Sequence, residues 1–226
     1  MGMFTGKTVF ITGASRGIGL CIKNEFEKEC ANIIAPSRKE LDLSSGESIK
    51  DYINNNDLSH TDIFIHCAGI NIKAGLDEIN EAIIEEVFEV NLFSAIYLLK
   101  PISEGMKNRK NGKIIFISSL YSVVSKERRI AYSASKNALT GLAKTLTLEM
   151  APYGILTNCV APGYVMTDMT RNNLSREDII RIENEIPTGR FQTEKEISDL
   201  VVFLCSDKNQ SITGQLIAVD GGFLCK

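Results

Sequence analysis

A tyrosine and a lysine stand four residues apart in the stretch RRIAYSASKNAL, where a helix is predicted to begin. Residues at positions i and i+4 share one helix face, so the Lys136 ammonium would lie near the Tyr132 phenol and favour its phenolate form. A free phenol titrates near pH 10, and a pKa of ~7 requires about 4 kcal/mol of preferential stabilisation of the phenolate. The pair predicts an acid–base site only if the rest of the chain supports it, because this spacing also arises by chance.

A glycine-rich turn with the sequence TGASRGIG lies at residues 12–19, between an apolar strand pattern and a helical pattern. Glycines in such a turn let the backbone approach a pyrophosphate, whose charge is met by unpaired amides and the positive end of the helix. A tight turn that needs only small residues is the alternative, but the strand and helix on its two sides favour a dinucleotide site. The candidate contacts are Gly13, Ser15, Arg16, Gly17, Ile18 and Gly19.

The end of the second strand pattern carries Ser37 and Arg38, with no acidic residue before Glu40. An acid at this place would hold the 2′-hydroxyl of the adenosine ribose, whereas an arginine suits a 2′-phosphate. Arg16 in the glycine turn would add a second guanidinium. The sequence therefore predicts NADP(H) in preference to NAD(H), the alternative being that both arginines are ordinary solvated surface residues.

The elements that must position these residues are strand and helix patterns that alternate along the chain. Uninterrupted apolar runs are typical of a parallel sheet covered on both faces. They occur at 8–12, 32–37, 62–68, 113–118, 155–161 and 215–220. The helical patterns occupy 17–29, 46–55, 79–107, 131–151 and 193–206. This order predicts an α/β fold with a doubly wound, Rossmann-type parallel sheet flanked by helices.

Two segments depart from the alternation. The sequence ELDLSS follows Arg38 at once, so the fold is shortened between the second strand and a short third strand, with no room for a crossover helix. Residues 163–192 are polar and contain no strand pattern, which predicts an excursion above the sheet that closes over the substrate as a lid. Candidate specificity residues in this lid are Met166, Met169 and Ile179.

Length and composition limit the remaining possibilities. A chain of 226 residues with 44% hydrophobic and 23% charged residues indicates a single domain spanning 1–226. The net charge of −3 comes from interspersed acids and bases, which argues against nucleic-acid or membrane binding. The six cysteines show neither a CxxC pair nor metal-ligand spacing, and no apolar run is long enough to span a membrane. We therefore expect a cytoplasmic protein without a metal site.

Taken in order, these motifs resemble the single-domain branch of the short-chain dehydrogenase/reductase family over almost the whole chain. The family's TGxxxGxG turn corresponds to 12–19, and its YxxxK pair corresponds to Tyr132 and Lys136. Its other motifs are similar to Asp42-Leu43, the segment His66-Cys67-Ala68-Gly69, Asn91, Ser119, the loop with Pro162, Gly163 and Thr167, and the final Asp220-Gly221-Gly222. Ordered motifs at consistent spacings are specific where a single motif is not.

The resemblance implies hydride transfer between the nicotinamide and a substrate carbonyl. Tyr132 would supply the proton, Ser119 would hydrogen-bond the substrate oxygen, and Lys136 would hold the nicotinamide ribose. Asn91 would keep an ordered water beside Lys136. Further cofactor contacts would come from Asp42 and Leu43 at the adenine, from Ala68 and Gly69, and from Pro162, Gly163, Val165 and Thr167 at the carboxamide.

His66 and Cys67 depart from the family pattern, which has two asparagines at these positions. A thiol cannot replace an amide that ties neighbouring strands together, so we expect a change in local rigidity rather than in chemistry. A lone histidine beside a cofactor groove is more often structural than catalytic. We therefore expect His66 to be structural.

The substrate is less closely defined than the cofactor. The stretch APGYVMTDMT is similar to the 3-oxoacyl-acyl-carrier-protein reductases, which favours reduction of a 3-oxoacyl thioester. Those reductases dock an acidic carrier with basic residues at two places. This chain has Tyr153 at one of them, which argues against a carrier-linked substrate, whereas Arg109 and Lys110 lie near the other place. Arg128 and Arg129 would meet an anionic substrate or carrier, or form a solvated turn.

Two alternatives to a thioester reductase stay open. The first is a reductase of keto-sugars or other small metabolites, and the second is a cofactor-binding protein without catalysis. The presence of Asn91, Ser119, Tyr132 and Lys136 together argues against the second. The resemblance also implies a homodimer or homotetramer formed through the long helices after the fourth and fifth strands.

Overall fold

A six-stranded parallel sheet is the centre of the structure, a computed structural model that describes residues 2–167, 170–171 and 174–226. The strands are β1 (Thr8–Thr12), β2 (Asn32–Ile34), β3 (Ile63–His66), β4 (Gly112–Ile117), β5 (Ile155–Pro162) and β6 (Leu216–Val219). Their order is β2-β1-β3-β4-β5-β6, and every neighbouring pair is parallel. The winding reverses between β1 and β3, so the predicted doubly wound fold is confirmed.

Seven α-helices are described around the sheet: α1 (Gly17–Lys28), α2 (Gly46–Asn55), α3 (Glu81–Phe88), α4 (Ser94–Arg109), α5 (Ile130–Met150), α6 (Arg176–Glu185) and α7 (Glu194–Cys205). A π-turn at Glu89–Phe93 joins α3 to α4, so the helix predicted over 79–107 changes its hydrogen-bond register in the middle. Such turns often mark functional sites. Single 3₁₀ turns lie at Leu120–Ser122, Ala151–Tyr153 and Phe223–Cys225.

Each face of the sheet carries its own apolar core. Side chains alternate along a strand, so Phe10 of β1 packs with α2, α4 and α5, while its neighbours Val9 and Ile11 pack with α1 and α7. All three are fully buried. Burial on both faces is the reason why the strands appear in the sequence as continuous apolar runs.

The predicted short third strand is wrong. Residues 37–45 form turns, because their polar groups are bonded locally: the Ser37 amide donates to the Glu40 carboxylate at 2.7 Å, and the Asp42 carboxylate accepts from the Ser44 amide at 3.0 Å. Leu41 fills the core instead of a strand position. The predicted shortening is present, and α2 serves as the crossover to β3, leaving β2 at the edge of the sheet beside a cavity of about 760 Å³.

The excursion after β5 has a small apolar cluster of its own. Ile182, Ile186 and Phe191 are buried there, with Met166 and Ile179 packed against them. The two ends of the segment are tied by a parallel bridge between Val165 and Gln192. Met169 lies outside the described residues. Closure of this segment over a substrate stays a prediction.

Apolar side chains are also exposed on the outer faces of the π-turn, α4 and α5. Phe93, Ile96 and Tyr97 are 38–48% exposed, and Leu148 is 80% exposed. The sequence predicted burial of these helices beyond the sheet, and this surface suits such a contact. Within the described residues, none of the helices combines the length and apolar character needed to cross a membrane.

Arg109, at the end of α4, holds the turn that leads into β3. Its guanidinium donates to the carbonyls of Ser59 and Thr61 and lies 3.4 Å from the Asp62 carboxylate. We expect Arg109→Met to lower the free energy of unfolding by about 1.5–3 kcal/mol, because charge-assisted hydrogen bonds are lost. Urea denaturation measures this, with the exposed neighbour substituted as Lys110→Met for control. Equal losses of unfolding free energy in the two variants would contradict this structural role of Arg109.

Candidate active site

The carboxyl ends of β1, β3, β4 and β5 meet at one edge of the sheet, as parallel strands require. Helix α1 begins there after the glycine turn, and Arg16 at its N-cap forms no side-chain cap. By contrast, the helices α2, α3, α6 and α7 are all capped by side chains, those of Ser45, Asn80, Ser175 and Thr193. The first amides of α1 therefore remain available to an anion, as the predicted pyrophosphate contact needs.

The glycine turn packs too tightly for side chains at two positions. Gly13 has φ +71°, and a Cβ there would lie 2.7 Å from the Ala68 backbone. A Cβ on Gly19 would lie 2.2 Å from the Gly13 carbonyl oxygen. Thr167 is close to the same turn, since its Cγ2 lies 3.7 Å from where a Gly17 Cβ would stand. The structure thus brings the predicted turn, the end of β3 and the loop after β5 together around one groove.

Thr12 ties the end of β1 to the end of β3. Its hydroxyl accepts from the Ala68 amide at 3.2 Å and lies 3.0 Å from His66 Nδ1. Burial, with a smaller effect of the Lys136 charge, lowers the pKa of His66 to about 3, so its ring is neutral. These contacts favour the structural interpretation of His66, and Thr12 supplies a tie between strands that Cys67 is unable to make.

The two serines that end β4 point to different sides, as successive strand residues do. Ser118 Oγ donates to the Lys136 carbonyl at 2.9 Å and is buried away from the groove. Ser119 Oγ accepts from the Tyr121 amide at 3.2 Å and lies close enough to Tyr132 to lower the pKa of that phenol. Ser119 is therefore the serine beside Tyr132, and its contact with a substrate oxygen stays a prediction.

Lys136 is buried, with its Nζ donating to the Ile117 carbonyl at 2.8 Å. The ammonium lies 5.9 Å from the centroid of the Tyr132 ring. A Cβ on Gly69 would lie 3.0 Å from Nζ, so the absence of a side chain at 69 makes room for the lysine. Burial lowers the pKa of Lys136 to about 8.

Tyr132 differs electrostatically from the sequence expectation. Burial raises the pKa of Tyr132, while the hydrogen bond with Ser119 and the positive charge of Arg129 oppose this to a smaller extent. Lys136 faces the ring and the Ile117 carbonyl. The expected lowering of the Tyr132 pKa toward 7 is therefore not present in the protein alone.

Asn91 lies in the π-turn and is fully buried. Its Nδ2 donates to the Ile70 carbonyl and to Ser135 Oγ, both at 3.0 Å, and its Oδ1 accepts from the Ile70 amide at 2.8 Å. The side chain thus fastens the segment after Gly69 to α5. Its predicted part in holding a water stays a prediction.

Of the remaining cofactor candidates, Arg38 follows the end of β2, whereas Asp42 and Leu43 lie in the turns that replace the predicted third strand. Arg38 is largely exposed, and its Nε is 3.4 Å from the Asp42 carboxylate. Hydrogen bonds from Ser44, with a smaller effect of Arg38, lower the pKa of Asp42. Leu43 packs against the core, and contact of Arg38 and Asp42 with a cofactor stays a prediction.

The loop after β5 is fixed by backbone contacts. The Gly163 amide donates to the Val219 carbonyl at 2.9 Å, directly after Pro162 ends the strand. The Thr167 hydroxyl lies 3.0 Å from the Thr170 hydroxyl and accepts from its amide at 3.2 Å. Contact between Thr167 and the nicotinamide carboxamide stays a prediction.

Sequence reasoning missed two tyrosines beside the site. The Tyr121 ring meets the Tyr132 ring edge-on at 6.3 Å, and the Tyr121 hydroxyl lies 3.3 Å from that of Tyr164. Burial raises the pKa of Tyr164. Their positions in the sequence could have revealed them: Tyr121 comes two residues after Ser119, and Tyr164 directly follows Pro162-Gly163. Together they form a polar aromatic wall in front of Tyr132.

Comparison with known proteins agrees with this fold. Residues 20–224 match a family model described as Enoyl-(Acyl carrier protein) reductase. The chain is 32% identical over 242 residues to the 3-oxoacyl-(acyl-carrier-protein) reductase FabG of Escherichia coli K12, covering 97% of this chain and 98% of that protein. FabG of Buchnera aphidicola subsp. Baizongia pistaciae is 36% identical over 239 residues, covering 96% and 97% of the two chains.

Solved structures superpose closely on this fold. A Beutenbergia cavernae protein described as an NAD(P)-dependent gluconate 5-dehydrogenase, with NADP bound at low occupancy, superposes with a TM-score of 0.92 at 29% identity over 100% of both chains. ElxO with NADP bound has a TM-score of 0.89 at 26% identity, covering 97% of this chain and 99% of its own. The chain belongs to the short-chain dehydrogenase/reductase family. Within that family it is an oxidoreductase of the single-domain, FabG-like type.

The low pKa of Lys136 predicts a measurable pH dependence of stability. An unfolded lysine titrates near pH 10.4, and Lys136 titrates at about 8 in the fold. Between these values the unfolded chain binds more protons, so the free energy of unfolding rises with pH through this window. Lys136→Met removes this contribution.

We therefore expect the native protein to gain stability relative to Lys136→Met between about pH 8 and pH 10. Urea denaturation at several pH values, without cofactor, measures the difference. The exposed Lys144 on the same helix, substituted as Lys144→Met, should leave the pH dependence unchanged. Parallel curves for the native protein and Lys136→Met would show that Lys136 has an ordinary pKa.

Proposed function

We propose that the protein is an NADP(H)-dependent reductase that converts a substrate carbonyl to an alcohol. The observation that carries the proposal is the convergence of Ser119, Tyr132 and Lys136 at the end of β4, beside the uncapped start of α1. NADPH, when bound, supplies the hydride that the carbonyl carbon accepts. The carbonyl oxygen takes a proton, so one hydride and one proton complete the alcohol.

Each residue of the site has a part in this reaction. Tyr132 donates the proton to the carbonyl oxygen, and Ser119 hydrogen-bonds that oxygen as negative charge develops on it. Lys136 uses one N–H for the Ile117 carbonyl, so two N–H groups remain for ribose hydroxyls. Asn91 binds the backbone of Ile70 and so holds in place the segment after Gly69 that lies beside Lys136.

The preference for NADP(H) rests on Arg38 and Arg16. Both are exposed, and Arg38 follows the end of β2 where a 2′-phosphate would lie. The neighbouring acid, Asp42, lies near Arg38 and accepts hydrogen bonds from Ser44. The structures of ElxO and of the Beutenbergia protein, both with NADP, support this choice.

Two substrate classes are supported by different observations. The curated relatives named as 3-oxoacyl-(acyl-carrier-protein) reductases favour a 3-oxoacyl thioester. Two of the four basic residues considered for carrier docking are already engaged, which favours a small polar ketone instead: Arg109 is bound to the turn before β3, and Arg128 is paired with Glu78. The gluconate 5-dehydrogenase description of a structural neighbour also supports the small ketone.

Assembly into a homodimer or homotetramer is part of the proposal. The exposed Phe93, Ile96, Tyr97 and Leu148 give α4 and α5 an apolar outer surface for a second copy. Such a contact would not cover the carboxyl edge of the sheet, so the groove would remain open in the assembly.

Replacing the tyrosine acid tests the reaction directly. We expect the protein to oxidise NADPH with an acetoacetyl thioester or with small ketones, and Tyr132→Phe to lower turnover by about 10²- to 10⁴-fold while NADPH still binds. Absorbance at the NADPH band measures turnover, and fluorescence of bound NADPH measures binding. Undiminished turnover in the variant would contradict the tyrosine assignment. Binding without turnover on thioesters and keto-sugars alike would favour the non-catalytic alternative.

The cofactor preference has its own test. We expect Arg38→Ser to weaken NADPH binding by about 10-fold or more, because a charge-assisted hydrogen bond to the 2′-phosphate is lost. NADH lacks that phosphate and serves as the matched control ligand, whose affinity should not change. Equal affinity of the native protein for NADH and NADPH would refute the preference.

A further inference from the structure

Two adjacent arginines precede Tyr132, and the structure distinguishes them by their partners. Arg128 has φ +63°, which turns its side chain toward the loop after β3. Its guanidinium bonds both oxygens of Glu78, at 2.6 and 2.8 Å. Arg128 is therefore already neutralised, and a ligand would have to displace Glu78 to reach it.

Arg129 has no such partner. Its Nε is buried without a hydrogen bond, and its Nη1 reaches the Arg128 carbonyl at 3.4 Å. Among the described residues, none forms an ion pair with it. A parallel β-bridge to Ala74 fixes the Arg129 backbone, since the Ala74 amide donates to the carbonyl of the preceding residue, Arg128, at 3.2 Å.

The position of Arg129 relates it to the reaction centre. It is the N-cap residue of α5, and 129, 132 and 136 follow the i, i+3, i+7 spacing of one helix face. Its charge acts on Tyr132, where it opposes the rise in the phenol pKa caused by burial. Arg129 also forms no side-chain cap, so the positive end of α5 adds to the guanidinium charge.

The Arg129 Nε is enclosed by the protein, so a ligand can reach this guanidinium only through its terminal Nη groups. A carboxylate suits these Nη groups best, because it accepts two N–H bonds of the planar guanidinium at once. Three helical residues span about 5 Å along the axis. Positions 129 and 132 are thus about one helical turn apart at the start of α5, near enough for the Arg129 charge to act on the Tyr132 phenol.

We propose that Arg129 binds the carboxylate of a small oxo acid and places its ketone at Tyr132. This inference rests on the proposed reductase function and names its substrate class. A thioester presents no negative charge at that place, so Arg129 discriminates in favour of the free acid. The polar wall formed by Tyr121 and Tyr164 suits a small oxygen-rich substrate better than an acyl chain.

Acetoacetate and methyl acetoacetate test this, because they share one ketone and differ in charge. We expect the native protein to have the higher kcat/KM for the acid. Arg129→Gln should lower kcat/KM for the acid about 10- to 100-fold more than that for the ester, whose smaller change reports the effect of the Arg129 charge on Tyr132. Arg129→Lys should restore part of the loss. Arg128→Gln removes the same charge one residue away and should change neither value by more than about twofold.

A binding measurement separates this inference from the function on which it rests. Malonate, which has no ketone to reduce, is titrated into the protein with NADPH bound, and cofactor fluorescence is followed. Saturable binding that Arg129→Gln loses supports the inference. No malonate binding, or equal kcat/KM for acid and ester in the native protein, overturns the inference while leaving the reductase function intact. Failure to bind NADPH would refute the proposed function itself.

Discussion

The buried amide of Asn91 is the interaction on which the geometry of the site depends. Its three hydrogen bonds use both N–H groups and one acceptor position, and they join the segment after β3 to α5. A buried amide left without partners costs several kcal/mol, so this arrangement is strongly preferred over any in which the two elements separate. The π-turn places the side chain in this position. The π-turn thus positions Asn91, and Asn91 holds the part of α5 that carries Lys136.

The charges around this amide are arranged unfavourably in the protein alone. Lys136 is buried and has a lowered pKa, while burial keeps the phenol of Tyr132 protonated. Arg129 adds a further positive group with an unpaired N–H. A site with this electrostatic imbalance favours ligands that bring negative charge and polar oxygens. The phosphates proposed to bind at α1 and the acid proposed to bind near α5 would be two such contributions.

The sheet was predictable from the sequence because its strands are buried on both faces and appear as uninterrupted apolar runs. The third strand was not, because residues 37–45 carry serines and acids whose side chains bond the nearby backbone and replace sheet pairing. The π-turn was equally hidden, since one altered turn leaves the apolar pattern of 79–107 unchanged.

In the site, sequence spacing predicted which residues meet but not their electrostatics. Ser119, Tyr132 and Lys136 lie together because β4 and α5 hold them there. The pKa of Tyr132 depends on burial, which no local pattern shows. The difference between Arg128 and Arg129 depends on Glu78, which is 50 residues away from Arg128 and is brought close only by the fold. Long-range partners of this kind are outside the reach of sequence reasoning.

The loss of the third strand leaves the short strand β2 as the open margin of the sheet. An exposed edge normally offers a row of free amides and carbonyls to other chains, and long flat edges promote fibrillar association. Here the edge has three residues, and Pro36, two positions beyond its end, has no N–H to donate. The shortening therefore removes a strand without creating a surface on which copies of the protein would stack.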